Sequence, residues 1–135
     1  MLLGAEGTQL GSRFVATEES SGHIAFKKAV LAAQEGATTL TLKELTPVRM
    51  MHNELYQKLV MASQAGATPE ELAEILGRGR AKKGMFEGDL VEGELEIGQI
   101  ASMLTHIKPA SEVVHEIVST YREVGGPLLG ERFKF

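Results

Sequence analysis

A chain of 135 residues with 43% hydrophobic residues holds enough apolar material for the core of one soluble domain. Its net charge of −4 argues against a nucleic-acid binder, which carries a basic excess. The absence of cysteine excludes disulfides, thiolate metal sites and a cysteine nucleophile. No apolar run approaches the roughly 20 residues that cross a bilayer, so no membrane partner is expected. The opening Met-Leu-Leu-Gly-Ala lacks the basic region of a signal peptide, and a cytoplasmic localisation is the expectation. Fifteen glycines and only 5% aromatic residues suit a loop-containing α/β protein better than a helical bundle.

In chain order, residues 5–10 read as one short strand that turns at Gly11 and Ser12. Thr17, Glu18 and Glu19 look like a helix start, with acids placed to favour the N-terminal dipole. From 23 to 34 the pattern is helical: Phe26, Val30 and Ala33 share one side, and Lys27, Lys28 and Gln34 are polar positions. Gly36 is a stop. "TTLTL" at 38–42 and "PVRMM" at 47–51 suggest a small hairpin. Asn53 is placed to cap a helix over 54–64, with Leu55 and Leu59 inward and Gly66 ending it. Thr68, Pro69, Glu70 and Glu71 form a capping box with proline at the first helical position, opening a helix that runs to Leu76. The basic, glycine-interrupted stretch "GRGRAKKGMFEGD" has no clear assignment.

Ile97, Ile100, Ala101 and Leu104 follow helical spacing, as do Val114, Ile117, Val118 and Tyr121. Pro109 separates these two helices, and Gly125, Gly126 and Pro127 end the second. The tail "LLGERFKF" is unassigned. The opening strand is an oddity, because about a hundred mostly helical residues follow it. Its backbone groups must pair with the hairpin, with another copy, or with strands that lie upstream.

Three ordered blocks resemble one family. "LLGAEGTQLGSRFVATEES", followed by His23 and by "FK" at 26–27, is similar to the last barrel strand of the nitronate monooxygenase (2-nitropropane dioxygenase) family. That family includes the FMN-dependent enoyl-acyl-carrier-protein reductases. "PVRMMHNEL" and "EGDLVEGELEIGQIASML" resemble its later motifs. The resemblance implies an FMN-dependent TIM-barrel oxidoreductase, a fold that needs about 250 residues. The chain is therefore expected to be the C-terminal part of such an α/β barrel. Residues 1–15 would be the last barrel strand and its phosphate-binding turn. Residues 16–93 would form a small, mostly helical inserted domain with a short hairpin, and residues 94–135 helices that pack on the barrel. Residues 1–5 would end the seventh barrel helix. Gln9, Leu10, Gly11 and Ser12 correspond to the segment that contacts FMN in the family. Barrels of this kind hold phosphate at the loops after strands 7 and 8. Gly11 lets backbone come close, and Ser12 adds N–H and hydroxyl donors. Ser102 stands where the family's later motif has glycine. The family's catalytic histidine region and its other phosphate loop lie upstream, so no catalytic residue is expected in this chain and no turnover from it alone.

His23, which matches a family histidine, is expected to cap a helix or line a cleft. His52, His106 and His115 lack ligand spacing, so no metal site is expected. Arg49 and Asn53 are expected to brace a turn rather than bind an anion. Gln99 is expected to hydrogen-bond a neighbouring loop. Arg78, Arg80, Lys82 and Lys83 read as a solvated basic face, with a carrier protein or nucleotide phosphate as the weaker option. Two functions of different class follow. The first is part of an FMN oxidoreductase acting on a small molecule, either a nitronate or an enoyl thioester. The second is a non-catalytic helical assembly module. The second would need a complete core of its own, whereas in the first unpartnered apolar faces and a free strand edge would make the isolated fragment a homo-oligomer.

Overall fold

The computed structural model describes residues 5–125. Residues 1–4, Gly126, Pro127 and the tail, with the expectations stated for them, lie outside these. The elements are α1 (Ser12–Val15), α2 (Ile24–Leu31), β1 (Thr38–Thr41), β2 (Val48–Met51), α3 (Glu54–Gln64), α4 (Pro69–Leu76) and α5 (Ala110–Thr120). Three single helical turns complete the chain, at Lys82–Phe86, Gln99–Met103 and Tyr121–Gly125.

The strongest local signals produce what they specify. Asn53 caps α3 by accepting from the Tyr56 N–H at 2.9 Å, and Leu55 and Leu59 are buried. Both halves of the capping box form at α4: the Thr68 hydroxyl accepts from the Glu71 N–H, and the Glu71 carboxylate accepts from the Thr68 N–H. The hairpin pairs β1 and β2 antiparallel, from Thr38 against Met51 to Thr41 against Val48. Residues 95–97 lie along the other edge of β2. There the Met51 N–H donates to the Leu95 carbonyl at 2.9 Å, and the Ile97 N–H to the Arg49 carbonyl at 3.2 Å.

β2 separates two apolar clusters, because neighbouring strand residues point to opposite faces. Met51 joins Ala16, Phe26, Val30, Ala33, Leu95, Ile97, Ala101 and Leu104. Met50 joins Leu42, Leu55, Leu59 and Leu72. The first cluster draws side chains from both sides of residue 93 and seats α2 against the Gln99–Met103 turn.

Four expectations are corrected. Residues 5–10 belong to no sheet among the described residues, and every one is exposed; the hairpin pairs with itself, so this stretch finds no ladder there. Thr17, Glu18 and Glu19 do not start a helix. The start is six residues later, where His23 Nδ1 accepts from the Ala25 N–H at 3.1 Å. Thr17 instead bridges to Lys108, and Glu18 donates its N–H to the Lys108 carbonyl at 3.1 Å. The Glu19 carboxylate accepts from the Ala110 N–H at 2.8 Å, so it serves the dipole of α5 rather than of α2. Third, the span 97–104 holds one short turn, not a helix: Ile97, Ala101 and Leu104 are buried, but Ile100 is exposed. Fourth, the buried residue of α5 is Val113, while Val114, Ile117 and Val118 are 49%, 36% and 37% exposed.

Because Glu19 caps α5 from a distance, Glu19→Ala is expected to cost about 1 kcal/mol, the usual worth of a cap. In thermal melts this appears as a loss of a few degrees, and amide exchange should speed up selectively in the first turn of α5. Uniform exchange across the chain would contradict the capping role.

Candidate functional site

Residues 9–12 run from exposed extended chain into the first turn of α1. Gly11 has φ −111° and ψ −63°, which any residue can adopt, so its backbone does not call for glycine. A Cβ there would meet nothing within 4 Å. The face of Gly11 is therefore open, as close approach by a ligand requires. Gln9 and Leu10 are exposed, and Ser12 is half-buried. Of these four side chains, Ser12 makes the long-range contact: its Oγ accepts from the Gly98 N–H at 2.9 Å, across 86 residues of sequence. This hydrogen bond ties together the first and third resembling blocks, which also pack on each other in the first apolar cluster. Arg13, which sequence reading missed, donates through Nη1 to the carbonyls of Ala16 at 3.1 Å and His106 at 3.5 Å, and so fixes the far end of α1.

The loop after this turn is held by Lys27. Expected on a polar face, it is instead only 5% exposed. Its Nζ donates to the carbonyls of Thr17 at 2.6 Å, Ser20 at 2.8 Å and Glu18 at 3.3 Å. Three donors meet three carbonyls, so the ammonium is carried by backbone dipoles. The nearest sequence signal was the "FK" of the resembling block, which does not reveal burial.

The third block, residues 87–104, is a set of close backbone contacts. Gly88 sits at φ +83°, and a Cβ there would overlap the His23 ring. Asp89 Oδ1 accepts from the N–H groups of Val91 at 2.9 Å and Glu92 at 2.8 Å, and Oδ2 pairs with Lys83 at 2.9 Å. The Glu92 N–H first, then Lys83 and the Val91 N–H, hold the Asp89 carboxyl down at about 2. A carboxyl depressed on folding stabilises the fold above its unfolded value near 3.9, and this is lost as pH falls through the folded value. The melting difference between the parent chain and Asp89→Asn is therefore expected to be constant above about pH 5 and to shrink between about pH 4 and 2. A difference that does not change over that interval would exclude the assignment.

Residues 1–120 match the family model described as nitronate monooxygenase. The chain belongs to the nitronate monooxygenase family. The structure of FabK from Thermotoga maritima is 30% identical, with a TM-score of 0.82 over 95% of this chain and 40% of that one. The M276A mutant of the same protein gives 29% identity and a TM-score of 0.75 over 95% and 38%. The chain thus spans about two fifths of the length of these solved structures. The family is one of FMN-dependent oxidoreductases, and the mixed helix–strand chain fits a part of a TIM-barrel relative.

Within this family member, most of the remaining sequence candidates hold other parts of the chain in place. His23 caps α2 and donates its own N–H to the Met85 carbonyl at 2.7 Å. Arg49 Nη1 braces β1 through the Thr38 carbonyl at 2.9 Å, and Asn53 Nδ2 reaches the carbonyls of Leu90 and Gly93 at 3.0 and 2.8 Å. The basic run is largely neutralised by its own loop: Arg80 pairs with Glu92, Lys82 with Glu87 and Lys83 with Asp89, while Arg78 is exposed. Lys58 first, then Arg80, lower the Glu92 carboxyl below its ordinary value. His52 bonds the Thr39 hydroxyl and stacks on Tyr56, His106 bonds the Thr105 hydroxyl, and His115 is exposed. No group of three metal-ligating side chains occurs among the described residues. No helix among them is long and apolar enough to cross a membrane. An open cleft of about 1060 Å³ lies between the hairpin and the Gln99–Met103 turn, where Arg49, Gln99 and Ser102 line it. Gln99 itself is exposed.

Proposed function

We propose that the chain is the C-terminal part of an FMN-dependent oxidoreductase, and that Gln9, Leu10, Gly11 and Ser12 supply part of the grip on the FMN phosphate. In this reading residues 6–11 are the eighth strand of a TIM barrel, residues 16–93 the small domain, and residues 94–135 the segment that packs on the barrel. The observation that carries it is the Gly11–Ser12 turn: one open glycine face beside one hydroxyl held in place from residue 98. A phosphate needs converging donors without side-chain obstruction, and this turn offers a clear approach, the N–H groups of Ser12 and Arg13 and a hydroxyl, while the Phe14 and Val15 N–H groups donate to the Gly11 carbonyl. The residues present fit the group. When bound, FMN supplies the electron transfer, with a nitronate or an enoyl thioester as the two substrate classes consistent with the family. This chain's share is binding and positioning, and turnover from it alone is not expected.

The exposed face of α5 at Val114, Ile117 and Val118, together with the unladdered residues 5–10, supports self-association of the isolated chain. The competing reading, a helical assembly module, shares that feature but gives the turn no ligand.

A titration with FMN and with riboflavin, which lacks the phosphate, separates the two. Amide shifts of Gly11 and Ser12 in the ¹⁵N-labelled chain detect binding even when it is weak. FMN should move both signals at concentrations where riboflavin leaves them in place. Equal responses to both flavins would remove the phosphate site and favour the assembly module.

A further inference from the structure

We propose that Gly98 is a positioning residue for the Ser12 hydroxyl; this rests on the phosphate reading of residues 9–12 given above. A serine hydroxyl carries one proton and two lone pairs, and a free one rotates. Here one lone pair is taken by the Gly98 N–H at 2.9 Å. The hydroxyl acts as acceptor toward the protein, and its single proton is left to donate to a phosphoryl oxygen.

The geometry also gives the reason for glycine at 98. Its φ of −69° and ψ of 162° are open to any residue, so conformation does not demand it. What demands it is space. A Cβ at 98 would lie 2.5 Å from Ser12 Oγ, while the next atoms, Ser12 Cβ and Ile100 Cγ2, stand at ordinary distances of 3.6 and 3.9 Å. The atom that a side chain at 98 meets is this one rotatable oxygen, and it is the oxygen assigned to the ligand. A larger residue would have to push the hydroxyl out of place.

The test is a double-mutant cycle on the full chain, with two readouts. In thermal melts Gly98→Ala should be destabilised, and adding Ser12→Ala should recover most of that loss, because it removes the clashing atom. In titrations read from the amides of residues 9–12, the preference for FMN over riboflavin should fall about tenfold in Gly98→Ala, the scale of one hydrogen bond to a charged group. It should fall equally in Ser12→Ala and in the double variant, whose recovered stability does not restore it. Ser12→Thr, which keeps the hydroxyl, should retain it. A double variant no more stable than Gly98→Ala would overturn the inference, as would a Gly98→Ala chain with the parent preference. A parent chain that treats the two flavins alike overturns the reading of the turn itself, and the inference with it.

Discussion

Gly93→Ala is expected to be among the most damaging single substitutions in this chain. A Cβ at 93 would lie 2.2 Å from the Gly84 Cα, 2.3 Å from the Asp89 carbonyl oxygen and 2.5 Å from the Gly84 nitrogen. All three are backbone atoms, so no rotamer change relieves the overlap. Gly84 is as closely approached in return, since a Cβ on it would be 2.5 Å from the Glu94 carbonyl oxygen. The two glycines form one tight backbone crossing between the Lys82–Phe86 turn and the strand edge at 95–97. Gly93 also ties in α3, since its carbonyl accepts from Asn53 Nδ2. Forcing extra volume into packed structure costs about 1–3 kcal/mol, and against backbone alone the upper end or beyond is expected. For a chain of this length that is a loss on the order of 10 °C in melting temperature. Gly36→Ala is the control: φ is +79°, but a Cβ meets nothing within 4 Å, so only the conformational cost of about 1 kcal/mol applies. Equal losses in the two variants would refute the crossing.

The contrast between these glycines shows what the sequence made legible. Gly66 was readable as a helix stop, because a positive φ just after a helix is a local event, and it has one; Gly36 also has a positive φ, but in a turn before β1, because α2 ends at Leu31. The caps at Asn53 and Thr68 were readable for the same reason: donor and acceptor lie three residues apart. Gly84, Gly93 and Gly98 owe their identity to atoms that sequence distance does not bring near, and periodicity is silent about them. Glu19 was read as an acid favouring a helix dipole but assigned to the wrong helix, since the chain does not announce that Ala110 lies beside it. Spacing at 114, 117 and 118 identified a helical face without saying what faces it; among the described residues Val113 is the buried side chain instead. At the candidate site, Gly11 and Ser12 were legible only through family resemblance. The contact that organises them, Ser12 with Gly98, joins two resembling blocks that sequence reading had treated separately.

Lys27→Met is the other substitution expected to be severe. Methionine matches the length of the lysine stem and suits the surrounding apolar cluster, so packing is largely kept. What is lost is the donor to the carbonyls of Thr17, Glu18 and Ser20. A buried acceptor left without a donor costs about 1–3 kcal/mol, and with three affected together a loss of about 3–5 kcal/mol is expected. Part of this is relieved where the loop can open to water. That opening is the informative consequence, because the same loop bridges Lys108 and carries the Glu19 cap of α5. Lys27→Met should therefore raise amide exchange in residues 17–20 and in the first turn of α5, while α3 and α4, whose core is separate, stay protected. Lys27→Arg should recover little: a planar fork cannot place three donors around the point where an ammonium does. Lys28→Met, one residue along the same helix and exposed, should stay within about 0.5 kcal/mol of the parent. If Lys27→Met melts like Lys28→Met, the three carbonyls are satisfied by water, and the lysine is not what fastens the loop behind the phosphate turn.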